Sequence, residues 1–279
     1  MFVVTGTPRS ATGYASMLFT AANVPCAHEK TFRPKTNVVD LLDFCEGDDA
    51  LGESSWMAWL FLSFLPRSTV VLHTVRNPWA VVDSLAHRND LLPRAATLHP
   101  DRLIMRRVIG VHCPEVERYD TAIDRAAAMV VYWNQRIEAV AKASGLMYRR
   151  YRVEDVNADV LSNLLALCDI QRSPMEIERA LKQVPNDVNG GRQIDYKVKV
   201  TNPDIVAFIK KIDPTLPPVI GKVLSRRTPM SSDDVEADMD TDLRARLNEL
   251  AARYGYERIN EISKVRESSH GTVKCCTTV

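Results

Sequence analysis

This 279-residue chain lacks an excess of charge of either sign: 36 Lys and Arg stand against 35 Asp and Glu, a formal net charge of +1. Non-specific nucleic-acid binding normally shows as a basic excess, so no nucleic-acid partner is expected and any anion site must be local. Long apolar runs are also missing. The most apolar stretch, Trp56 to Leu65, is far too short to span a bilayer, so no membrane partner is expected. The chain starts almost directly with its first strand, leaving no room for a charged n-region and an apolar h-region, so no secretory leader is expected. The six cysteines (Cys26, Cys45, Cys113, Cys168, Cys275, Cys276) follow neither metal-ligand nor disulfide-framework spacing. They read as reduced thiols in a cytoplasmic protein. Cys276-Thr277-Thr278-Val279 lacks the aliphatic pair of a prenylation box, and residues 264–279 are polar without periodicity, which predicts a flexible tail. His87, His99 and His112 show no zinc spacing. The acidic run Ser232 to Asp240 reads as a solvated loop or helix N-terminus rather than a calcium site, so no metal is expected.

What is present is an ordinary globular composition, 46% hydrophobic and 25% charged, in a chain long enough to bury a full core. Strand and helix signals alternate, which predicts an α/β fold with a central, mostly parallel sheet flanked by helices. Phe2–Thr5 reads as the first strand, followed by a helix from about Gly13 to Ala22 and an extended segment from Val24 to Glu29. Thr36 to Phe44 has helical spacing, and Trp56 to Leu65 reads as a buried apolar helix that Ser54-Ser55 can cap. Thr69 to Val75 is the clearest core strand, and Pro78 opens a helix running through Leu85. Asp120 to Ser144 is a long helix, Leu146 to Val153 a strand, Val160 to Leu167 a helix and Asp240 to Tyr254 the last helix. No composition break marks a second domain, so residues 1–263 are expected to form one. Trp56, Trp59 and His73 are expected in the core.

Two loops, each after an apolar strand, carry chemistry. Gly6-Thr7-Pro8-Arg9-Ser10-Ala11-Thr12-Gly13-Tyr14 is a small-residue loop turning into a helix, an arrangement that gathers backbone N–H groups to bind a phosphate-like anion. It is not a Walker A loop: Thr12 stands where that motif needs lysine, and Arg9 is the nearby cation. Arg76, at the carboxyl end of the next core strand, and Ser84, two turns into the following helix, can grip a second anionic group if that helix packs beside the first loop.

The first loop resembles the 5′-phosphosulfate loop of the sulfotransferases that use 3′-phosphoadenosine 5′-phosphosulfate (PAPS), in the branch whose loop reads Arg-Ser-Gly-Thr. Arg76-Asn77-Pro78 with Ser84 resembles that family's 3′-phosphate element. Trp133-Asn134, Tyr151-Arg152-Val153-Glu154-Asp155-Val156 and Tyr254-Gly255-Tyr256 are similar to further recurring segments. The resemblance covers roughly residues 1–170. It implies a P-loop-like three-layer fold and transfer of a sulfuryl group from PAPS to a hydroxyl of a small molecule or carbohydrate, with PAP as product and no metal. It also implies donor binding by Thr7, Pro8, Arg9, Ser10, Ala11, Thr12, Gly13, Tyr14, Arg76 and Ser84, with Arg192 standing in for an absent Arg-Lys-Gly segment. Ala11 replaces the loop's usual glycine and fits only with a negative φ.

Sulfuryl transfer needs an anchored donor, charge near the leaving oxygen and a group that removes the acceptor's proton. Arg9 is the candidate for the leaving oxygen. Cys26-Ala27-His28-Glu29 is similar to the segment that supplies a catalytic glutamate in tyrosylprotein and trehalose sulfotransferases, which makes Glu29 the first candidate base and His28 the second. A capping or ion-paired glutamate beside Lys30 and Arg33 is the bland alternative. Two other readings compete: a P-loop nucleotide or small-molecule kinase, and a non-catalytic nucleotide-binding protein. Lys30–Asn37, Leu91–Pro114 and Arg192–Arg227 are the segments expected to shape the acceptor pocket. No motif specifies the acceptor or the oligomeric state.

Overall fold

The computed structural model describes residues 1–47, 52–86, 100–184, 232–237 and 239–256. Arg192, the 192–227 stretch, His87, His99, Cys275, Cys276 and the 264–279 tail lie outside the described residues. Five strands, β1 (Phe2–Thr5), β2 (Cys26–His28), β3 (Gly52–Ser54), β4 (Val70–Val75) and β5 (Met147–Arg152), form one sheet in the order β2-β3-β1-β4-β5. Every ladder in it is parallel. The apolar runs of β1 and β4 lie in the middle and are buried along their whole length, as strands covered on both faces must be. β5, which carries two tyrosines and three arginines, occupies an edge.

Parallel pairing requires crossovers, and helices supply them. In chain order they are α1 (Thr12–Ala21), α2 (Val38–Glu46), α3 (Pro78–Ala86), α4 (Pro100–His112), α5 (Ala122–Ser144), α6 (Ala158–Leu167), α7 (Pro174–Gln183), α8 (Ser232–Ala237) and α9 (Thr241–Arg253). The period-two alternation of the strands divides the core between two faces. Phe2, Val4, Val70 and Leu72 pack with α1, α6 and α7, whereas Val3, Val71 and Val75 pack with α3, α5 and α9. The result is the three-layer α/β arrangement expected from the sequence.

Most expected elements appear within a residue or two of their predicted bounds, and several points differ, β3 among them because no strand was expected there. Trp56–Leu65 is not an α-helix; Ala58–Phe64 winds as a 3-10 segment. Ser54 belongs to β3 rather than to a cap, although Ser55 Oγ does accept the Met57 N–H at 3.1 Å. Of the stretch expected as a pocket-shaping loop from Leu91 to Pro114, residues 91–99 lie outside the described residues, and Pro100–His112 is helix α4, whose last turn buries Ile109 against the core just before Cys113. α7 has no counterpart in the sequence reading, and Ser173 and Glu176 form a reciprocal capping box at its start. In the acidic run, Ser232–Ala237 is helix α8, while Asp240 caps α9 by accepting the Asp242 and Leu243 N–H groups.

The core assignments hold. Trp133 lies 5.1 Å and 5.0 Å from the rings of Trp56 and Trp59, and its Nε1 donates to the Trp56 carbonyl. His73 is fully buried, bonded to the Tyr148 hydroxyl at 2.7 Å and Asn134 Oδ1 at 2.9 Å. Burial pushes its pKa down to about 3, so it stays neutral at working pH. Among the described residues, no helix is long and apolar enough to cross a membrane. No group of three or more His, Cys, Asp or Glu side chains there could hold a metal ion.

Candidate functional site

In open parallel sheets the carboxyl ends of the strands face one edge, and ligands bind there. β1, β2 and β4 deliver the candidate residues to that edge. β1 ends at Thr5 and the chain turns at once. Gly6 is sterically required, because a β-carbon there would stand 2.5 Å from the Thr74 carbonyl. The turn closes through Ser10 N–H donating to the Thr7 carbonyl at 2.9 Å, and Thr74 Oγ1 donates to the Ser10 carbonyl at 3.2 Å. β4 thus braces the loop.

Ala11 is the N-cap of α1 and has no side chain to cap it. The N–H groups of Thr12 and Gly13 lie in a first helical turn that offers them no carbonyl. Beneath them the hydroxyls of Thr5, Thr7, Ser10 and Tyr14 are buried, also without a partner among the described residues. Native interiors leave few polar atoms in that state. Here four fall within the ten residues that end β1 and open the uncapped helix α1, and an anion is the chemistry that satisfies such groups. Tyr14 sits at the core side of this group, and burial pushes its phenol up to about 12.

The backbone carries strain at the same place. Five described non-glycine residues have positive φ: Arg9, Ala11, Asn23, Glu29 and Asp169. Asn23 and Asp169 follow the ends of α1 and α6 and are residue types that tolerate the left-handed region. Arg9, Ala11 and Glu29 are not, and all three were singled out as site residues. Ala11, expected to keep a negative φ, instead adopts φ 76° and ψ 29°. The loop needs a left-handed residue to turn N–H groups inward, and the fold imposes that conformation on alanine. Such strain persists where the surroundings over-determine it, typically at ligand clamps. Ala11→Gly should therefore stabilise the protein by roughly 0.5–1 kcal/mol, relief of left-handed strain outweighing the extra freedom of the unfolded chain. Urea denaturation checks this, and a destabilised variant would contradict the strain.

β4 runs into Arg76, and Pro78 starts α3. That helix does pack beside the loop: Arg9 Nε donates to Ser84 Oγ at 2.9 Å across 75 residues of sequence. The two elements that the sequence offered as separate anion grips are therefore parts of one site. The hydroxyl of Ser84 is engaged by Arg9, and Arg76 makes no hydrogen bond or ion pair among the described residues.

β2 brings the candidate base. Ser54 on β3 is the clasp: its Oγ donates to the Thr12 carbonyl at 2.7 Å and its carbonyl accepts the Glu29 N–H at 3.1 Å. A β-carbon on Gly13 would lie 3.5 Å from His28 Nε2, so the imidazole covers the start of α1. His28 Nε2 stands 3.7 Å from Glu29 Oε1, both side chains being partly exposed. Desolvation raises the Glu29 pKa above the ordinary glutamate value, the neighbouring His28 opposes the rise and the buried Glu53 adds to it. Glu53, which the sequence reading passed over, accepts the N–H groups of Thr31 at 2.7 Å and Phe32 at 2.8 Å. It fixes the turn that follows Glu29.

No protein-family model matches this chain, and no curated protein matches it in sequence. Among solved structures, it is similar to the sulfotransferase domain from the curacin biosynthetic pathway at 12% identity and a TM-score of 0.48, over 92% of this chain and 98% of that one. It is also similar to mouse sulfotransferase SULT7A1 complexed with PAP, at 10% identity and a TM-score of 0.47, over 96% of this chain and 87% of that one.

Proposed function

We propose that this protein is a sulfotransferase that takes a sulfuryl group from PAPS and places it on a hydroxyl of a small molecule or carbohydrate, releasing PAP. The observation that carries the reading is the Arg9–Ser84 hydrogen bond, because it joins a lysine-free anion loop to the helix that directly follows Arg76. A donor with phosphate-like groups at both ends matches that layout. The buried hydroxyls of Thr7 and Ser10, without a partner among the described residues, and the uncapped N-terminus of α1 fit its 5′ end. Arg76 fits its 3′-phosphate.

When bound, PAPS supplies the activated sulfuryl group. The chain's own residues do the rest. Loop N–H groups hold the anionic end and orient it. Arg9, fixed through Nε, places positive charge where the leaving oxygen gains negative charge. Glu29, with its raised pKa, accepts the acceptor's hydroxyl proton, and His28 beside it sets how far that pKa rises.

A nucleotide or small-molecule kinase is the second reading. It lacks support on two counts: the loop has Thr12 where the phosphate-binding lysine belongs, and the strand β4 ends in Val75-Arg76 rather than an acid. The acid on β3, Glu53, is held by backbone N–H groups of the next turn. Calorimetry separates the readings. PAP should bind in the low micromolar range or tighter without magnesium, giving about −8 kcal/mol, while ATP should bind far more weakly. Magnesium-dependent ATP binding with no PAP binding would overturn the proposal, and PAP binding without turnover over an acceptor library would leave a non-catalytic binder.

A further inference from the structure

Glu154 lies one strand away from the donor loops, yet both its oxygens are engaged there. β4 and β5 pair with Val75 opposite Arg152, so the chain leaves the two strands side by side, as Arg76-Asn77 and as Val153-Glu154. Glu154 Oε1 accepts the Asn77 N–H at 2.9 Å, and Oε2 accepts the Tyr256 hydroxyl at 2.5 Å. Asn77 in turn accepts the Trp79 N–H on its own side-chain oxygen at 3.0 Å and fixes the start of α3. α3 carries Ser84, the partner of Arg9.

Tyr256 is itself clamped. The Arg152 guanidinium lies 4.2 Å over its ring and donates to the Gly255 carbonyl at 2.6 Å, and Asp155 holds that guanidinium at 3.2 Å. The two segments singled out in the sequence without a role, Tyr151–Val156 and Tyr254–Tyr256, are thus one structural unit. Its exit point is the Arg76 turn.

A carboxylate is a poor ligand for a phosphate, since like charges repel. With both oxygens engaged by donors of the protein, its contribution is geometric. We propose that Glu154, held by Tyr256, is a positioning residue that sets the Arg76-Asn77 turn and thereby gives the site its preference for a nucleotide with a 3′-phosphate. This rests on the assignment of Arg76 to that phosphate. The Trp79 and Val81 N–H groups hold Asn77 from its own helix, whereas Glu154 ties the turn to the segment after β5, and a small misplacement of a positioned group can cost a large factor.

The test compares PAP with adenosine 5′-monophosphate, which differs by the 3′-phosphate alone, in calorimetry on wild type, Glu154→Gln and Tyr256→Phe. A glutamine has one acceptor oxygen for two donors, so Glu154→Gln should weaken PAP about 10-fold and leave the monophosphate within about twofold. Tyr256→Phe keeps the charge and should move the same ratio by about threefold. It remains informative should Glu154→Gln fold poorly. Equal weakening of both ligands, an unchanged ratio, or tighter PAP binding from removal of a negative charge would each overturn the inference. A wild-type protein that binds PAP but does not discriminate between the two ligands would overturn the Arg76 assignment instead.

Discussion

Replacing Arg9 by alanine should lower kcat by about 10²–10³, the range found when one preorganised charge-stabilising donor is removed. The reason lies in where charge appears. As the sulfur–oxygen bond breaks, negative charge grows on the oxygen that stays with the nucleotide, and the proposed function assigns that end to the Arg9 loop. The interaction strengthens along the reaction, so it lowers the barrier rather than only tightening the substrate. PAP carries the full charge, so its affinity should fall too, by about 10-fold, while KM for PAPS moves less. Ser84→Ala gives the control. It retains the cation and removes the 2.9 Å bond that orients Nε, and it should cost only about 10-fold in kcat. Arg9→Lys should resemble the alanine variant more than wild type, since a lysine lacks the planar fork that bonds Ser84 through one nitrogen and presents others. Turnover within about fivefold of wild type in Arg9→Ala would remove Arg9 from the reaction and leave it a surface cation ending a turn.

The sequence was informative where local chemistry and position coincide. The strand–loop–helix opening is legible because buried strands read as continuous apolar runs and small residues punctuate them. The same holds for Val70–Val75 followed by Arg76 and Pro78. What the sequence could not show is that Arg9 and Ser84 meet across 75 residues; that depends on α3 folding back over the loop edge. β3 escaped because three residues, Gly-Glu-Ser, carry no alternation to read, and its Glu53 looks like a surface acid. It is buried because the Thr31 and Phe32 N–H groups converge on it, a tertiary fact. α7 was legible after all, since Ser173-Pro174 with Glu176 is a capping box with proline at the first helical position. Ala11 is the instructive error. Reasoning from residue preference alone demanded a negative φ, whereas the loop's need for inward N–H groups sets φ at 76° and the alanine bears the strain. Residue preference yields where a site over-determines the backbone.

Glu29→Gln should reduce kcat by about 10²–10⁴ while leaving PAP affinity nearly unchanged, because a general base acts on the acceptor and not on the nucleotide. The pH profile makes the assignment specific. The base works deprotonated, so kcat/KM must rise with pH through the Glu29 pKa. Burial raises that pKa above the usual glutamate value, so the acidic limb should lie above the range of an exposed carboxylate. Glu29→Gln should erase the limb along with the rate. His28 tests the coupling with the opposite sign to a simple loss. Its electrostatic influence, across 3.7 Å, lowers the Glu29 pKa against desolvation. Removing it in His28→Asn should push the Glu29 pKa higher still and move the limb to higher pH, with turnover at alkaline pH largely retained. A His28 that is itself the base gives the reverse pattern: His28→Asn then abolishes turnover at every pH, and Glu29→Gln leaves it near wild type. Burial and Glu53 both raise the Glu29 pKa and His28 lowers it, so loss of His28 should move the limb upward.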